Sequence, residues 1–152
     1  MNLRRRRLLR GIGGLSAVSL TTGLAGCSTD GDSGPDSDAR DDPPSSVLVE
    51  MTDDLTFEPE TVDVSVDGTV TWENVGAVAH SVTAYSESIP ADAAYFASGE
   101  FETESDANQQ YPEVGSIGRD ETYEHTFETA GTYEYYCIPH ESGNMVGTVT
   151  AR

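Results

Sequence analysis

Short runs of alternating hydrophobic and polar residues fill the chain from Val47 to its C-terminal end. The alternation is clear at residues 62–66, where three valines alternate with polar residues, and again at residues 123–127. A period of two is typical of strands that bury one face. We predict strands at Val47–Val49, Val62–Val66, Thr69–Glu73, His80–Tyr85, Tyr123–Phe127, Thr132–Cys137 and Met145–Thr150.

Turn residues separate the predicted strands. Asp67-Gly68 indicates a hairpin, and Ala130-Gly131 indicates another turn. Seven or eight short strands joined in this way predict an all-β fold, an antiparallel β-sandwich with Greek-key connections. Residues 86–118 lack the alternation, and we expect one short helix there, at Ala91–Ala97. The single tryptophan, Trp72, is predicted to lie in the core.

The N-terminal residues have the composition of a targeting segment. Five of the eight arginines lie within the first ten residues, and Arg5–Arg10 resembles a twin-arginine export signal. The apolar stretch Ile12–Leu24 is too short to span a membrane. It leads into Leu24-Ala25-Gly26-Cys27, which resembles a lipobox. We therefore predict a signal over residues 1–26 and a lipid on Cys27; the alternative is a soluble protein cleaved shortly before that cysteine.

Residues 27–46 form the second predicted segment. They contain six aspartates and three prolines but no large apolar residue after the cysteine. Such a composition cannot bury enough surface to fold, so we expect a disordered tether. It would hold a folded domain, residues 47–152, at the extracellular face of the cell membrane.

The charge of the chain is strongly one-sided. From Cys27 onward, 27 acidic residues face three arginines and no lysine, a net charge of −24. This surface excludes nucleic acid as a partner. Like charges repel in dilute buffer, but at molar salt the screening length is only about 3 Å. The charge therefore predicts a protein adapted to a hypersaline medium.

Most of the candidate metal ligands lie near the C-terminus. Cys137, His140 and Met145 lie within nine residues, and His80 lies far upstream in an apolar stretch. Two imidazoles, one thiolate and a weak axial thioether are the ligand set of a blue-copper electron-transfer centre. We therefore predict a single copper ion bound by these four residues.

Two separated motifs carry a resemblance to a known family. The first is Cys-x2-His-x4-Met with Pro139 before its histidine; the second is residues 56–82, which contain Phe57, Trp72 and Asn74 at the family's positions. The chain resembles the cupredoxins, within them the plastocyanin group, and most closely the halocyanin group of haloarchaea. Many cupredoxins have asparagine after the first histidine ligand, where this chain has Ser81.

The resemblance implies an electron carrier that is not an enzyme. It implies that the Ser81 N–H donates to the Cys137 sulfur and that Asn74 braces the loop before His80. Electrons would leave through the edge of His140, which an apolar surface surrounds (Gly76, Ala77, Val78, Ala79, Ile138, Pro139 and Val146). Tyr136 is a second candidate exit. The implied partners are redox proteins of the respiratory chain, between whose membrane complexes single electrons would be carried.

The same cysteine, histidine and methionine residues allow several other interpretations. A Cys-His nucleophile lacks an oxyanion hole and leaves Met145 without a role. A structural zinc site favours more thiolates and no methionine, and a binuclear copper centre needs a second cysteine in the loop. A disulfide between Cys27 and Cys137 would destroy the ligand set. His125 is predicted to be a partly buried histidine that does not bind metal. A copper storage or delivery module remains the alternative to an electron carrier.

Overall fold

The computed structural model describes residues 42–152 of the chain. These residues form eight strands, one α-helix and one 3-10 helix. The strands are β1 (Ser46–Met51), β2 (Phe57–Glu58), β3 (Thr61–Val64), β4 (Gly68–Asn74), β5 (Thr83–Ala84), β6 (Thr122–Phe127), β7 (Gly131–Tyr136) and β8 (Val146–Ala151). The α-helix, α1, is Glu104–Gln110, and the 3-10 helix is Ile138–Gly143.

The strands form two four-stranded sheets that pack face to face. One sheet has the order β2-β1-β4-β6 and the other has the order β3-β8-β7-β5. The prediction of a β-sandwich with seven to eight strands is confirmed. The sheets are mixed rather than purely antiparallel, because β1 pairs in parallel with β4 and β3 pairs in parallel with β8. Hydrophobic alternation reports which face of a strand is buried, and it carries no information about strand direction.

The predicted hairpin at Asp67-Gly68 is wrong. The turn exists, with Asp67 at φ 65° and the Gly68 N–H donating to the Ser65 carbonyl at 2.8 Å. However, it joins β3 and β4, which belong to opposite sheets. The turn residues therefore determine where the chain reverses, while the strands pair according to which faces they bury.

The core lies between the two sheets and is centred on Trp72, which is fully buried as predicted. Its indole stacks on Tyr123 at 5.6 Å and on Phe96 at 6.0 Å, and it meets the edge of Tyr135 at 5.3 Å. These rings come from both sheets and from the irregular segment. Aromatic burial on this scale fixes how the sheets are stacked and hence how their ends are aligned.

The helix is not where the sequence placed it. Ala91–Ala97 forms turns and then an extended bridge from Ala97 to Thr83. Phe96 within this stretch inserts into the core, and that burial outweighs local helix propensity. The helix instead begins after Thr103, whose hydroxyl accepts the Asp106 N–H at 3.1 Å as an N-cap.

The predictions for the export signal, for Cys27 and for most of the tether lie outside the described residues. The division of the chain at residues 26 and 46 therefore stays a prediction. Between residues 42 and 152, no helix is both long enough and apolar enough to cross a membrane.

Candidate metal centre

Three candidate ligands meet at one end of the sandwich. Cys137 directly follows β7, and His140 lies in the 3-10 helix after it. His80 reaches the same place from the other sheet, because it follows the loop after β4 and forms a bridge with Ile117. The packing of the two sheets therefore brings His80 close to Cys137 and His140, although these residues lie 57 and 60 positions further along the chain.

The donor atoms of these residues form a tight cluster. The Cys137 sulfur lies 3.7 Å from His80 Nδ1 and 3.3 Å from His140 Nδ1. All three donors lie within 4.8 Å of one another, and the two imidazole rings are 5.0 Å apart. His80 and Cys137 are completely buried, whereas His140 is partly exposed. Within residues 42–152, this is the one cluster of three or more metal-binding side chains.

Backbone hydrogen bonds close the loop that carries Met145. The Met145 N–H donates to the His140 carbonyl at 3.2 Å, and the Cys137 N–H donates to the Met145 carbonyl at 3.1 Å. Asn144 makes the turn by adopting a left-handed conformation with φ 66°, which asparagine tolerates well. The side chain of Met145, at the end of this loop, is completely buried.

The cluster fits a metal ion of the copper type. A trigonal ion about 2.0 Å from each nitrogen and about 2.3 Å from the sulfur, as measured for zinc, would set nitrogen and sulfur about 3.7 Å apart. The two observed separations, 3.7 and 3.3 Å, are close to that value. Two imidazoles and a thiolate with a nearby thioether are the donors of a blue-copper centre. His80, Cys137, His140 and Met145 therefore form a type 1 copper site.

Burial sets the protonation states of the metal-free site. It lowers the pKa of His80, with the nearby His140 as a second cause, and it lowers the pKa of His140. Both rings are therefore neutral at pH 7 and able to bind a metal. Burial also raises the pKa of Cys137, although the hydrogen bonds from Ser81 oppose this effect. The thiol must consequently release its proton when metal binds.

Ser81 connects the two ligand loops. Its N–H donates to the Cys137 sulfur at 3.3 Å, which confirms the expected bond. Its hydroxyl oxygen accepts the Ile138 N–H at 2.8 Å and lies 4.0 Å from the same sulfur. Serine thus performs the bracing for which many cupredoxins have asparagine. No pattern in the chain indicates this second role in advance.

Asn74 braces the loop before His80, as predicted. The side chain is completely buried, and its Nδ2 donates to the Val78 carbonyl at 2.7 Å and to the Ile117 carbonyl at 2.9 Å. Its Oδ1 accepts the Gly76 N–H at 3.0 Å. One buried amide therefore makes three hydrogen bonds that stabilise the conformation of this loop.

The surface around His140 is largely as expected. Ala77, Val78 and Ala79 are exposed, and Val78 exposes 41% of its surface. In the second ligand loop Pro139 is exposed, and both Ile138 and Val146 are partly exposed. Gly76 differs from the expectation because it is buried.

The structure also shows the positions of His125, predicted not to bind metal, and of Tyr136, the second candidate exit for electrons. His125 is half-buried, stacks on Phe96 at 4.7 Å and takes no part in the metal cluster, as expected. Tyr136 is buried rather than on the surface, because helix α1 covers it: Asn108 Nδ2 donates to its hydroxyl at 2.7 Å. Its ring stacks on the partly exposed ring of Tyr85 at 4.4 Å.

The fold and the site together define a cupredoxin with a single type 1 copper centre. The sequence profile of the copper binding proteins of the plastocyanin/azurin family matches residues 45–152. The chain belongs to this family, whose plastocyanin members are electron carriers and not enzymes.

Individual relatives agree with this assignment. The chain is 33% identical over 98 residues to plastocyanin from Scenedesmus fuscus, covering 64% of this chain and 88% of that protein. It is 33% identical over 95 residues to chloroplastic plastocyanin from Tetradesmus obliquus, covering 62% of this chain and 57% of the relative. Among solved structures, a reduced Cu(I) form of an amicyanin mutant matches with a TM-score of 0.51 and 25% identity, covering 70% of this chain and 82% of that one.

Proposed function

We propose that this protein carries single electrons between membrane redox complexes at the outer face of the cell, as a member of the halocyanin group. The observation that supports this most is the cluster itself: three donors lie within 4.8 Å of one another, and hydrogen bonds of the protein hold the loops that carry them. A copper ion bound there supplies one-electron chemistry between Cu(II) and Cu(I). A site that is already in place needs little rearrangement when the electron arrives or leaves.

The protein's part in transfer is to keep the donors fixed in both redox states. Cys137 is held between the Ser81 N–H and the closed loop that ends at Met145. His80 is fixed through backbone bonds with Ile117 in both directions, at 3.1 and 2.8 Å. These bonds resist movement of the ligands, which would otherwise slow the transfer.

The edge of His140 is the proposed exit to a partner protein. It is the partly exposed member of the cluster, and the two loops that carry the histidine ligands also expose Ala77, Val78, Ala79 and Pro139. At molar salt, long-range steering by charge is screened, so a partner would bind this surface mainly through apolar contact. Redox proteins of a respiratory chain are the proposed partners.

A second route through Tyr136 is supported by its neighbours. Tyr136 precedes Cys137 in the chain, and its ring stacks on Tyr85, which reaches the surface. Burial raises the pKa of Tyr136 to about 12, so its hydroxyl keeps its proton at pH 7. The Tyr136 hydroxyl also donates to Glu104 at 3.1 Å, and the Tyr85 hydroxyl donates to Glu141 at 2.9 Å. This exit would suit a cationic partner, because carboxylates surround it.

A hypersaline habitat is supported by the surface charge. Residues 47–152 contain 21 acidic residues and two arginines, a net charge of −19. The ion pairs described between residues 42 and 152, Arg119–Asp120 and Arg152–Asp63, are both exposed and offset little of this charge. An outer-face location and a lipid on Cys27 are proposed from the sequence motifs alone.

The copper-delivery alternative makes different demands. A delivery site has to release its metal readily, so it favours exposed donors. Here three of the four ligands, His80, Cys137 and Met145, are completely buried. That burial favours the carrier.

The decisive experiment is spectroscopy and voltammetry on copper-loaded protein in molar KCl, with a parallel chelator-competition time course. We expect an intense visible absorption from the sulfur-to-copper transition, a reversible one-electron wave and slow loss of copper. Cys137→Ser should abolish the absorption, whereas Ser142→Ala, an exposed position in the same loop, should leave it unchanged. Rapid copper loss without a reversible wave would instead support delivery.

The location requires its own test in a haloarchaeal host. Membranes should retain the native protein, and Cys27→Ser should release it or leave an unprocessed precursor. Replacing Arg5 and Arg6 with lysines should block export. Normal export of that variant, or a native mass that shows no lipid on the cysteine, would contradict the proposed location.

A further inference from the structure

The loop that leads into His80 is held from outside by a residue with no assigned role. Asp53 lies in the turn that follows β1, in a different part of the chain from either ligand loop. Its Oδ1 accepts the Ala77 N–H at 2.7 Å and the Val78 N–H at 3.2 Å. These two amides belong to the exposed apolar segment that adjoins the proposed electron exit.

The close contact depends on Gly76. A β-carbon at that position would lie 2.5 Å from Asp53 Oδ1 and 3.0 Å from the Asp53 backbone nitrogen. Only glycine lets the loop lie this close to the carboxylate. The two N–H donors are also the largest reason that the pKa of Asp53 lies below its ordinary value, so the acceptor is ionised at neutral pH.

Asp53 and Asn74 bind the two backbone polar groups of the same residue, Val78. Asn74 binds the Val78 carbonyl at 2.7 Å, and Asp53 binds the Val78 N–H. The Val75 N–H adds a third attachment, to the Met51 carbonyl at 3.1 Å. The segment between β4 and His80 is therefore tied both to its own strand and to the end of β1.

We propose that Asp53 is a positioning residue for the copper site, whose carboxylate fixes the Val75–Ala79 segment and through it the ring of His80 and the apolar surface. The proposal rests on the copper site described above. It adds that an exposed acidic residue controls the geometry of a buried ligand. Residues that orient metal ligands from outside typically change metal affinity about 10- to 100-fold when mutated.

The test compares Asp53→Ala with Asp54→Ala. Asp54 is the next residue in the same turn, is exposed, and has no hydrogen bond described to its side chain, so it is a control for charge. In molar KCl, Asp53→Ala should weaken copper binding about 10-fold or more and shift the reduction potential, while Asp54→Ala should match wild type. Asp53→Asn retains one oxygen acceptor and should restore most of the affinity.

A second readout does not depend on copper. In the metal-free protein, hydrogen exchange of the Ala77 and Val78 amides should become faster in Asp53→Ala and stay at the wild-type rate in Asp54→Ala. Gly76→Ala should disturb the same contact from the other side. Its effect should be smaller in the Asp53→Ala background, because the carboxylate it would strike is gone.

The outcomes separate the possible failures. If Asp53→Ala matches Asp54→Ala in affinity, potential and amide exchange, the positioning role is refuted. If Asp53→Ala only lowers the melting temperature, Asp53 is structural and the proposal also fails. If wild-type protein does not bind copper, the proposed function fails instead, and the amide-exchange comparison still decides whether Asp53 holds the loop. If Asp53→Ala does not fold, Asp53→Asn and Gly76→Ala decide the question.

Discussion

Replacing Asn74 with alanine tests whether one buried amide stabilises the loop before His80. The mutation removes three hydrogen bonds, of 2.7, 2.9 and 3.0 Å. The Ile117 carbonyl keeps the His80 N–H at 3.1 Å, and Val78 is exposed enough for water to reach it. The Gly76 N–H, in contrast, stays buried without a partner.

The expected loss of stability follows from these three bonds. A typical hydrogen bond contributes about 1 kcal/mol net, while a stranded buried donor costs about 1–3 kcal/mol. The two replaceable bonds and the stranded Gly76 N–H therefore give a decrease of about 3–5 kcal/mol in the free energy of unfolding. Asn74→Asp keeps the acceptor but turns a carboxylate toward two carbonyls, so it should be at least as destabilising.

Urea unfolding of the metal-free protein in molar KCl measures this loss, with Trp72 as the fluorescent probe. Asn108→Ala provides a control, because Asn108 makes two hydrogen bonds through its amide but is exposed on helix α1. Its loss should stay at or below about 2 kcal/mol, because two bonds are lost and the Tyr136 hydroxyl keeps Glu104 as a partner, provided that the denaturant slope is unchanged. A loss of similar size in Asn74→Ala would refute the claim that the amide stabilises the loop.

Three further predictions concern the site and the surface. Met145→Leu should raise the reduction potential, and Met145→Gln should lower it. Identical potentials of wild type and both variants by voltammetry would mean that Met145 is not an axial ligand. Burial lowers the pKa of His80, of His140 and of His125, so the unfolded chain binds more protons below about pH 6.5. The stability of the metal-free protein should therefore fall as the pH drops from 7 to 5, as denaturation at several pH values will show; equal stability at pH 7 and pH 5 would contradict the sign. The melting temperature should rise from dilute buffer to molar KCl, because salt screens the net charge of −19 on residues 47–152; a flat or falling curve would exclude adaptation to high salt.

The ligand set was predictable from the sequence because three of its members are local. Cys137, His140 and Met145 lie within nine residues, and the chemistry of imidazole, thiolate and thioether points to copper wherever the fold places them. The strands were predictable for a similar reason, since alternation depends only on neighbours along the chain. The burial of Trp72 followed from the same pattern.

Other features depend on residues that are distant in the chain. The parallel pairing of β1 with β4, the insertion of Phe96 in place of a helix at Ala91–Ala97, and the covering of Tyr136 by helix α1 all arise from packing between segments. No local pattern encodes such contacts, because side-chain burial can override propensity.

The supporting residues of the site show the same division. The residue types alone establish which side chains can bind the metal and that the chain is strongly acidic. The contacts of Ser81 with the second ligand loop and of Asp53 with Ala77 and Val78 arise only when the chain is folded. A hydrogen bond between residues more than 20 positions apart requires both segments to be in place first, so its partners are known only once the sheets have packed.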